Sequence, residues 1–185
     1  MPKGTIEMFS IFFEGLTKNN DFLTEFELNI KKESISKMNY LNKFMELYFI
    51  TFYTVNSLMK IDYWKNNLSI EQASDLYSKL LKEYTEIEMP GEYWLLHHIL
   101  PESIMYMPSY LIAAVRASEL ETFLKNKFGN EWWKEKSVGK ELKEIMSPGA
   151  KLDLHYFSKL DPDSYIKEKI YKTIFPKNIL INKIL

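Results

Sequence analysis

A narrow polar strip on an otherwise apolar segment carries the first residues whose types and spacing suit chemistry. Residues 5–18 have apolar side chains at helical spacing, and at roughly 100° per residue Glu7, Ser10 and Glu14 fall on one face. A buried carboxylate needs a cation, a hydrogen-bond donor or a metal ion, because its charge is costly away from water. The strip is therefore either a carboxylate site of this kind or the solvent face of the helix.

Histidine and tyrosine residues in the middle of the chain form a second candidate set. His97 and His98 are adjacent, so on a helix they point about 100° apart, which is a poor arrangement for binding one metal ion. Tyr106 and Tyr110 would share a helix face if a helix continued through Pro108. From the residues alone, both are expected to be core tyrosines with satisfied hydroxyl groups.

Arg116 is the only arginine among 24 basic residues, and it lies in an apolar segment. An arginine in such surroundings is expected to pair with a carboxylate, here Glu119 or Glu7. The alternative is that its planar guanidinium binds the carboxylate of a substrate in a bidentate manner.

Composition limits the class of protein. The chain has 185 residues, 46% of them apolar and 26% charged, which is typical of one globular domain. The net charge of -1 shows no basic excess of the kind that nucleic-acid binding requires. The absence of cysteine excludes disulfides, a cysteine nucleophile and thiolate metal sites. No signal-peptide pattern is present, and the most apolar stretch, 104–115, is too short to span a bilayer, so we expect a cytoplasmic protein without a membrane segment.

The elements that must position these residues are predicted to be helices throughout. Apolar residues recur at helical spacing, Ser69 and Gln72 form a capping box, and Pro101, Pro108 and Gly129 mark helix ends. Asp161 followed by Pro162 is a further helix start. The sequence therefore predicts one all-α, multi-helix domain over residues 1–185. The predicted helices are 5–18, 20–32, 36–65, 70–84, 92–100, 109–127 and 138–146.

The segment from Glu7 to Glu14 has the form E-x-x-S-x-x-x-E. It resembles the segment that carries the third zinc ligand in the oligoendopeptidase F group of zinc metallopeptidases, relatives of thimet oligopeptidase. In that family an H-E-x-x-H helix supplies two histidine ligands and a general base, and a glutamate on a later helix completes the site. The resemblance implies that Glu7 binds zinc. It also implies that Glu14 and Ser10 do not contact the metal ion themselves but orient one of its histidine ligands.

The resemblance continues in order over about residues 5–170, so it also implies the family's C-terminal helical fold. In the family a histidine and closely spaced tyrosines hold the substrate and stabilise the oxyanion, and here His98, Tyr106 and Tyr110 correspond to them. The spacing from His98 to Tyr110 is about two residues longer than the family pattern. The other matching segments are Leu68–Glu71, Leu76–Leu80, Ala113–Ala114, Met146–Ala150 and Leu160–Asp163.

The motif that supplies the two histidine ligands and the general base in the family is missing from this sequence. It contains no H-E-x-x-H, and its histidines are His97, His98 and His155. The resemblance therefore implies the C-terminal part of a zinc oligopeptidase that is inactive alone, with the missing ligands before Met1 or on a companion polypeptide that carries H-E-x-x-H. The substrate would be an oligopeptide, cleaved by a metal-activated water. The alternative is a non-catalytic helical module that binds a partner or forms a homo-oligomer.

Overall fold

The computed structural model describes residues 3–25, 31–96 and 105–152, and all regular elements in these ranges are helical. The predicted all-α class is confirmed. Two short 3₁₀ turns, Trp132–Lys134 and Gly149–Lys151, stand before and after the last helix. The α-helices are α1 (Lys3–Leu16), α2 (Asn20–Glu25), α3 (Lys32–Asn66), α4 (Ile70–Thr85), α5 (Tyr93–Leu96), α6 (Met107–Phe128) and α7 (Lys136–Met146).

The first part of the core forms where α1 packs along α6. Met8 and Phe12 of α1 are buried against Ala113, Ala117 and Leu120 of α6. The two alanines have short side chains, so the two helices can approach closely and enclose the larger side chains of α1. Burying a side chain such as Phe12 contributes roughly 1.5–3 kcal/mol to the free energy of unfolding.

The second part of the core lies between the C-terminal half of α3 and helices α4 and α5. Met59 of α3 and Tyr77 of α4 are fully buried there, together with Trp94 of α5. The predicted capping box at the start of α4 is confirmed: the Gln72 amide donates to the Ser69 hydroxyl at 3.2 Å, and the Ser69 amide donates to the Gln72 side chain at 2.9 Å. Although α3 is long, no helix in the three described ranges has an apolar stretch that would cross a bilayer.

Several predicted helix boundaries differ from the observed ones. Pro108 was expected to break the helical pattern, but it lies in the first turn of α6, where its missing N–H has no helical partner to lose. Lys32 was expected near the end of the second helix and instead begins α3. Gly129 ends α6 as predicted, with φ of 89°. The predicted helix at 92–100 is seen as α5, while residues 97–104 and the predicted start at Asp161 lie outside the described residues.

Candidate functional site

The fold brings Glu7 and Tyr106 together, although they are 99 residues apart in the chain. Tyr106 is the residue directly before α6, and its hydroxyl donates a hydrogen bond to the carboxylate of Glu7 on α1. Tyr110 follows one turn later, and its ring meets that of Tyr106 edge to face, with 5.2 Å between the ring centroids and 72° between the planes. Three of the residues predicted from the sequence therefore lie at one place.

A third tyrosine, Tyr53 of α3, completes this group. Its ring stacks on that of Tyr110 with 4.8 Å between centroids and 10° between planes. Sequence reasoning missed Tyr53, because α3 carries aromatic residues on several faces between residues 48 and 53 and none of them stands in a motif. The signal in the sequence was that Tyr53 follows Phe49 by four residues and so lies on the same face of a helix. We refer to Tyr53, Tyr106 and Tyr110 as the tyrosine cluster.

The pKa values of all three tyrosines of the cluster are raised above the ordinary value. The pKa of Tyr106 is raised well above its ordinary value, chiefly because its hydroxyl donates to Glu7 and would lose that hydrogen bond on ionising. The pKa values of Tyr53 and Tyr110 are raised first by burial, and the negative charge of Glu7 adds to the effect on both. The three phenols therefore stay uncharged to a more alkaline pH than an ordinary tyrosine does.

A cleft of about 840 Å³ lies between α1, α3 and α6, and Tyr53 and Tyr110 of the tyrosine cluster line it. Its volume falls within the range of about 300–1,000 Å³ that ligand sites occupy. The predicted polar strip of α1 faces this cleft, since Glu7, Ser10 and Glu14 all line it. Glu7 is half-buried, whereas Ser10 and Glu14 are exposed. The strip is thus neither a fully buried carboxylate site nor an open solvent face, but one wall of a cleft.

No family model, curated protein or solved structure matches this chain. Carboxylate and phenol groups at one end, with apolar side chains beyond them, can bind a ligand that has both hydrogen-bond acceptors and apolar surface.

The side chains of the cleft do not make a complete zinc site. A hydrolytic zinc ion takes three protein ligands, and within residues 3–25, 31–96 and 105–152 no three His, Cys, Asp or Glu residues lie close enough to hold a metal ion. Glu7 offers one carboxylate. Glu14 forms an ion pair with Lys18, at 2.6 Å between Oε1 and Nζ. A zinc ion at Glu7 would need further ligands from another segment or another chain.

Two other predicted site residues lie apart from the tyrosine cluster or outside the described residues. Arg116 forms the predicted ion pair with Glu119, at 2.5 Å between Nη1 and Oε2, and only 10% and 3% of the two side chains are exposed. The position of Arg116 is thus explained by this buried pair, and its binding of a substrate carboxylate stays a prediction. His98 lies outside the described residues.

Proposed function

We propose that the chain is the helical, substrate-binding part of an oligopeptidase-type zinc peptidase. Glu7 is the metal-binding carboxylate in this proposal, and Tyr106 and Tyr110 hold the peptide. The observation that carries the proposal is the hydrogen bond between Tyr106 and Glu7. It places a carboxylate and phenol donors from distant segments side by side at the end of a cleft large enough for a peptide, which is the combination that the family resemblance implies.

The phenols act as hydrogen-bond donors in this proposal. As neutral phenols, Tyr110 and Tyr106 donate in this proposal to the oxygen of a peptide carbonyl as negative charge develops there. Tyr106 does so by exchanging its hydrogen bond to Glu7 for that oxygen once Glu7 binds the metal. Tyr53 stacks on Tyr110 and restricts the orientation of its ring. The zinc ion, when bound, supplies the activation of water. His98 and Arg116 remain predicted substrate contacts.

The remaining zinc ligands and the general base belong to a companion polypeptide or a further segment that carries H-E-x-x-H. Glu14 and Ser10, on the same face of α1 as Glu7, are then in a position to orient a histidine of that helix. In this proposal the zinc site is formed by two segments or chains, and the chain by itself has no hydrolytic activity.

The test is to isolate the tagged chain from its source together with any stoichiometric companion. We expect a companion with H-E-x-x-H, one zinc ion per complex and cleavage of a fluorogenic peptide. Glu7→Gln is expected to lower cleavage by about 100-fold or more and to reduce the zinc content. Glu33→Gln, which changes an exposed carboxylate near the start of α3, is the matched control and should leave both unchanged. Cleavage by the chain alone, or a zinc content that does not depend on Glu7, would contradict the proposal.

The second candidate function, a non-catalytic binding or dimerisation module, is favoured by the N-terminal half of α3. Tyr40, Leu41 and Phe44 lie within about one turn of each other and are 79%, 56% and 54% exposed. Exposed bulky apolar side chains in one patch are typical of contact surfaces. A dimer in sedimentation measurements that dissociates in Phe44→Glu, with no companion recovered, would favour this function over the first.

A further inference from the structure

Tyr53 of α3 and Tyr110 of α6 lie face to face. Their ring planes are 10° apart and their centroids are separated by 4.8 Å, which is at the short end of the range of about 4.5–7 Å for aromatic pairs. Because the two residues belong to different helices, the rings are held together by the packing of α3 against α6 and not by any local spacing in the sequence. The fold therefore keeps two phenol rings in contact.

A stacked pair of tyrosines has the geometry that oxidative coupling needs. A one-electron oxidant converts a phenol into a phenoxyl radical, whose unpaired electron is spread over the oxygen atom and the ring carbons ortho and para to it. Two such radicals combine through a bond between ortho carbons, and this bond forms from p orbitals that project from the faces of the rings. Rings that already face each other can therefore couple directly, whereas rings that meet edge to face must first turn.

Tyr106 provides a comparison within the same cluster. Its ring also contacts that of Tyr110, but edge to face, with 5.2 Å between the centroids and 72° between the planes. Its hydroxyl is hydrogen-bonded to Glu7, which restricts the ring to that orientation. Tyr110 thus has one tyrosine neighbour oriented for coupling, Tyr53, and one that is not.

The stacked pair can be reached by a small oxidant. Tyr53 and Tyr110 both line the cleft between α1, α3 and α6, and both side chains are half-buried. A cleft of this volume admits drug-sized molecules, and an oxidant only has to take an electron from a ring. On its own helix Tyr53 contacts the rings of Phe49 and Phe52, which have no hydroxyl group and form no phenoxyl radical. A radical on Tyr53 therefore has Tyr110 as its coupling partner.

We propose that Tyr53 and Tyr110 are an oxidative cross-linking site, at which a one-electron oxidant joins α3 to α6 through a dityrosine bond. Each phenol gives one electron to the oxidant and one proton to water, so two equivalents of the oxidant are reduced. A carbon–carbon bond forms between the two ortho carbons, and the hydrogens on these carbons then move to the phenol oxygens. The product keeps both hydroxyl groups and has two hydrogen atoms fewer than the unmodified protein.

The bond fixes one wall of the cleft against another. It closes the chain between the two residues into a loop, which restricts the unfolded state in the way that a disulfide does. The cross-linked protein is therefore more stable to heat than the unmodified protein. The site requires neither zinc nor a companion chain, so it goes beyond the proposed function and does not depend on it.

The test oxidises the purified chain at low concentration and neutral pH, with a chelator present, by illuminating tris(bipyridyl)ruthenium(II) with persulfate as the final electron acceptor. We expect dityrosine fluorescence in the monomer, a higher thermal midpoint, and a cross-linked peptide pair that contains Tyr53 and Tyr110. Tyr53→Phe and Tyr110→Phe keep the rings but should each abolish this peptide pair in mass spectrometry. Tyr84→Phe, which removes a tyrosine of α4 that is 54% exposed, should leave its yield unchanged.

Each of the other outcomes overturns the inference. A cross-link of Tyr110 to Tyr106 in place of Tyr53 would show that facing rings do not determine the coupling. An equal yield of the same peptide pair from urea-unfolded wild-type protein would show that the fold does not position it, and this comparison does not depend on how the variants fold. Absence of dityrosine from the wild-type monomer would remove the site. Because no zinc and no companion chain are present, these results are independent of the test on Glu7, and either proposal can fail alone.

Discussion

Tyr106 donates its hydroxyl hydrogen bond to Glu7, and this contact links the residue before α6 to the second turn of α1. Tyr110, one turn farther along α6, meets Tyr106 edge to face and stacks on Tyr53 of α3. The three helices that enclose the cleft are therefore connected through one group of side chains at its end. A substitution of Glu7 is therefore expected to change the pKa values of all three phenols.

The first prediction concerns the ionisation of Tyr106. In Glu7→Gln the pKa of Tyr106 should fall back toward the ordinary tyrosine value of about 10, because a neutral amide replaces the carboxylate that accepts the hydroxyl hydrogen bond and the charge that opposes phenolate formation is gone as well. Ultraviolet absorbance of tyrosinate during a pH titration measures this. Tyr106→Phe identifies the signal, since it should lack the phase at highest pH that the wild-type protein shows. The same high-pH phase in Glu7→Gln would contradict the contact.

The same contact gives stability a defined pH dependence. Because the pKa of Tyr106 is raised in the folded state, its contribution to the free energy of unfolding is complete below pH about 10 and is lost as the pH rises above that value. Tyr106→Phe should therefore unfold with a weaker pH dependence than the wild-type protein in this range. Urea denaturation in alkaline buffers measures the difference.

The second prediction separates a structural role of Arg116 from a role in binding. Arg116→Met should lower the free energy of unfolding by about 3–5 kcal/mol, because it removes the cation that is ion-paired with the buried carboxylate of Glu119. Arg116→Met/Glu119→Leu should recover part of this loss, since neither charge of this pair remains. Urea denaturation measures both. A stable Arg116→Met protein that has lost peptide binding would instead make Arg116 a substrate-binding residue.

Local signals in the sequence predicted the helices well, and long-range packing accounts for what they missed. The capping box of Ser69 and Gln72 involves residues three apart, so it could be recognised from the sequence and is confirmed. Pro108 was predicted to interrupt a helix, as proline does in a helix interior. It lies in the first turn of α6, where its missing N–H costs no helical hydrogen bond. Tyr53 was missed because its significance depends on how α3 packs against α6, which no local pattern records.

The family resemblance selected Glu7, Tyr106 and Tyr110, and the structure brings these three residues together. The shape of the cleft was not predicted, and the roles of the three residues stay predictions. The cleft itself follows from the relative placement of α1, α3 and α6, so the carboxylates Glu46 and Glu121 were not among the predicted site residues. Zinc and the family resemblance stay proposals.

The third prediction compares two glycines. A Cβ atom at Gly91 would lie 2.3 Å from the backbone oxygen of Ser74, next to the place where the Trp94 indole donates to the Ser74 hydroxyl at 3.0 Å. Gly91→Ala should therefore lower the free energy of unfolding by about 3 kcal/mol. Gly139→Ala, within α7 and with no atom within 4 Å of the added Cβ, should raise it by about 0.5–1 kcal/mol. Thermal unfolding measures both, and equal effects would contradict the close approach.

The fourth prediction concerns Lys60, whose side chain is buried in the C-terminal half of α3. Burial lowers the pKa of Lys60 to about 8. The unfolded chain, with an ordinary lysine pKa of about 10.4, binds more protons than the folded protein between these two values, so the free energy of unfolding should rise with pH there.

Lys60→Met should remove this rise, and Lys65→Met, at an exposed position of the same helix, should retain it. Urea denaturation at closely spaced pH values from neutral to alkaline measures the slope. An unchanged slope in Lys60→Met would show that another group titrates in this range.

The packing of α1 against α6 also determines when this protein can fold during synthesis. The partners of Met8 and Phe12, among them Ala113 and Leu120, are added to the chain about a hundred residues later. At about 5–20 residues per second the ribosome needs roughly 5–20 s to make that stretch. The core between α1 and α6 is therefore expected to form only after most of the described chain has been made.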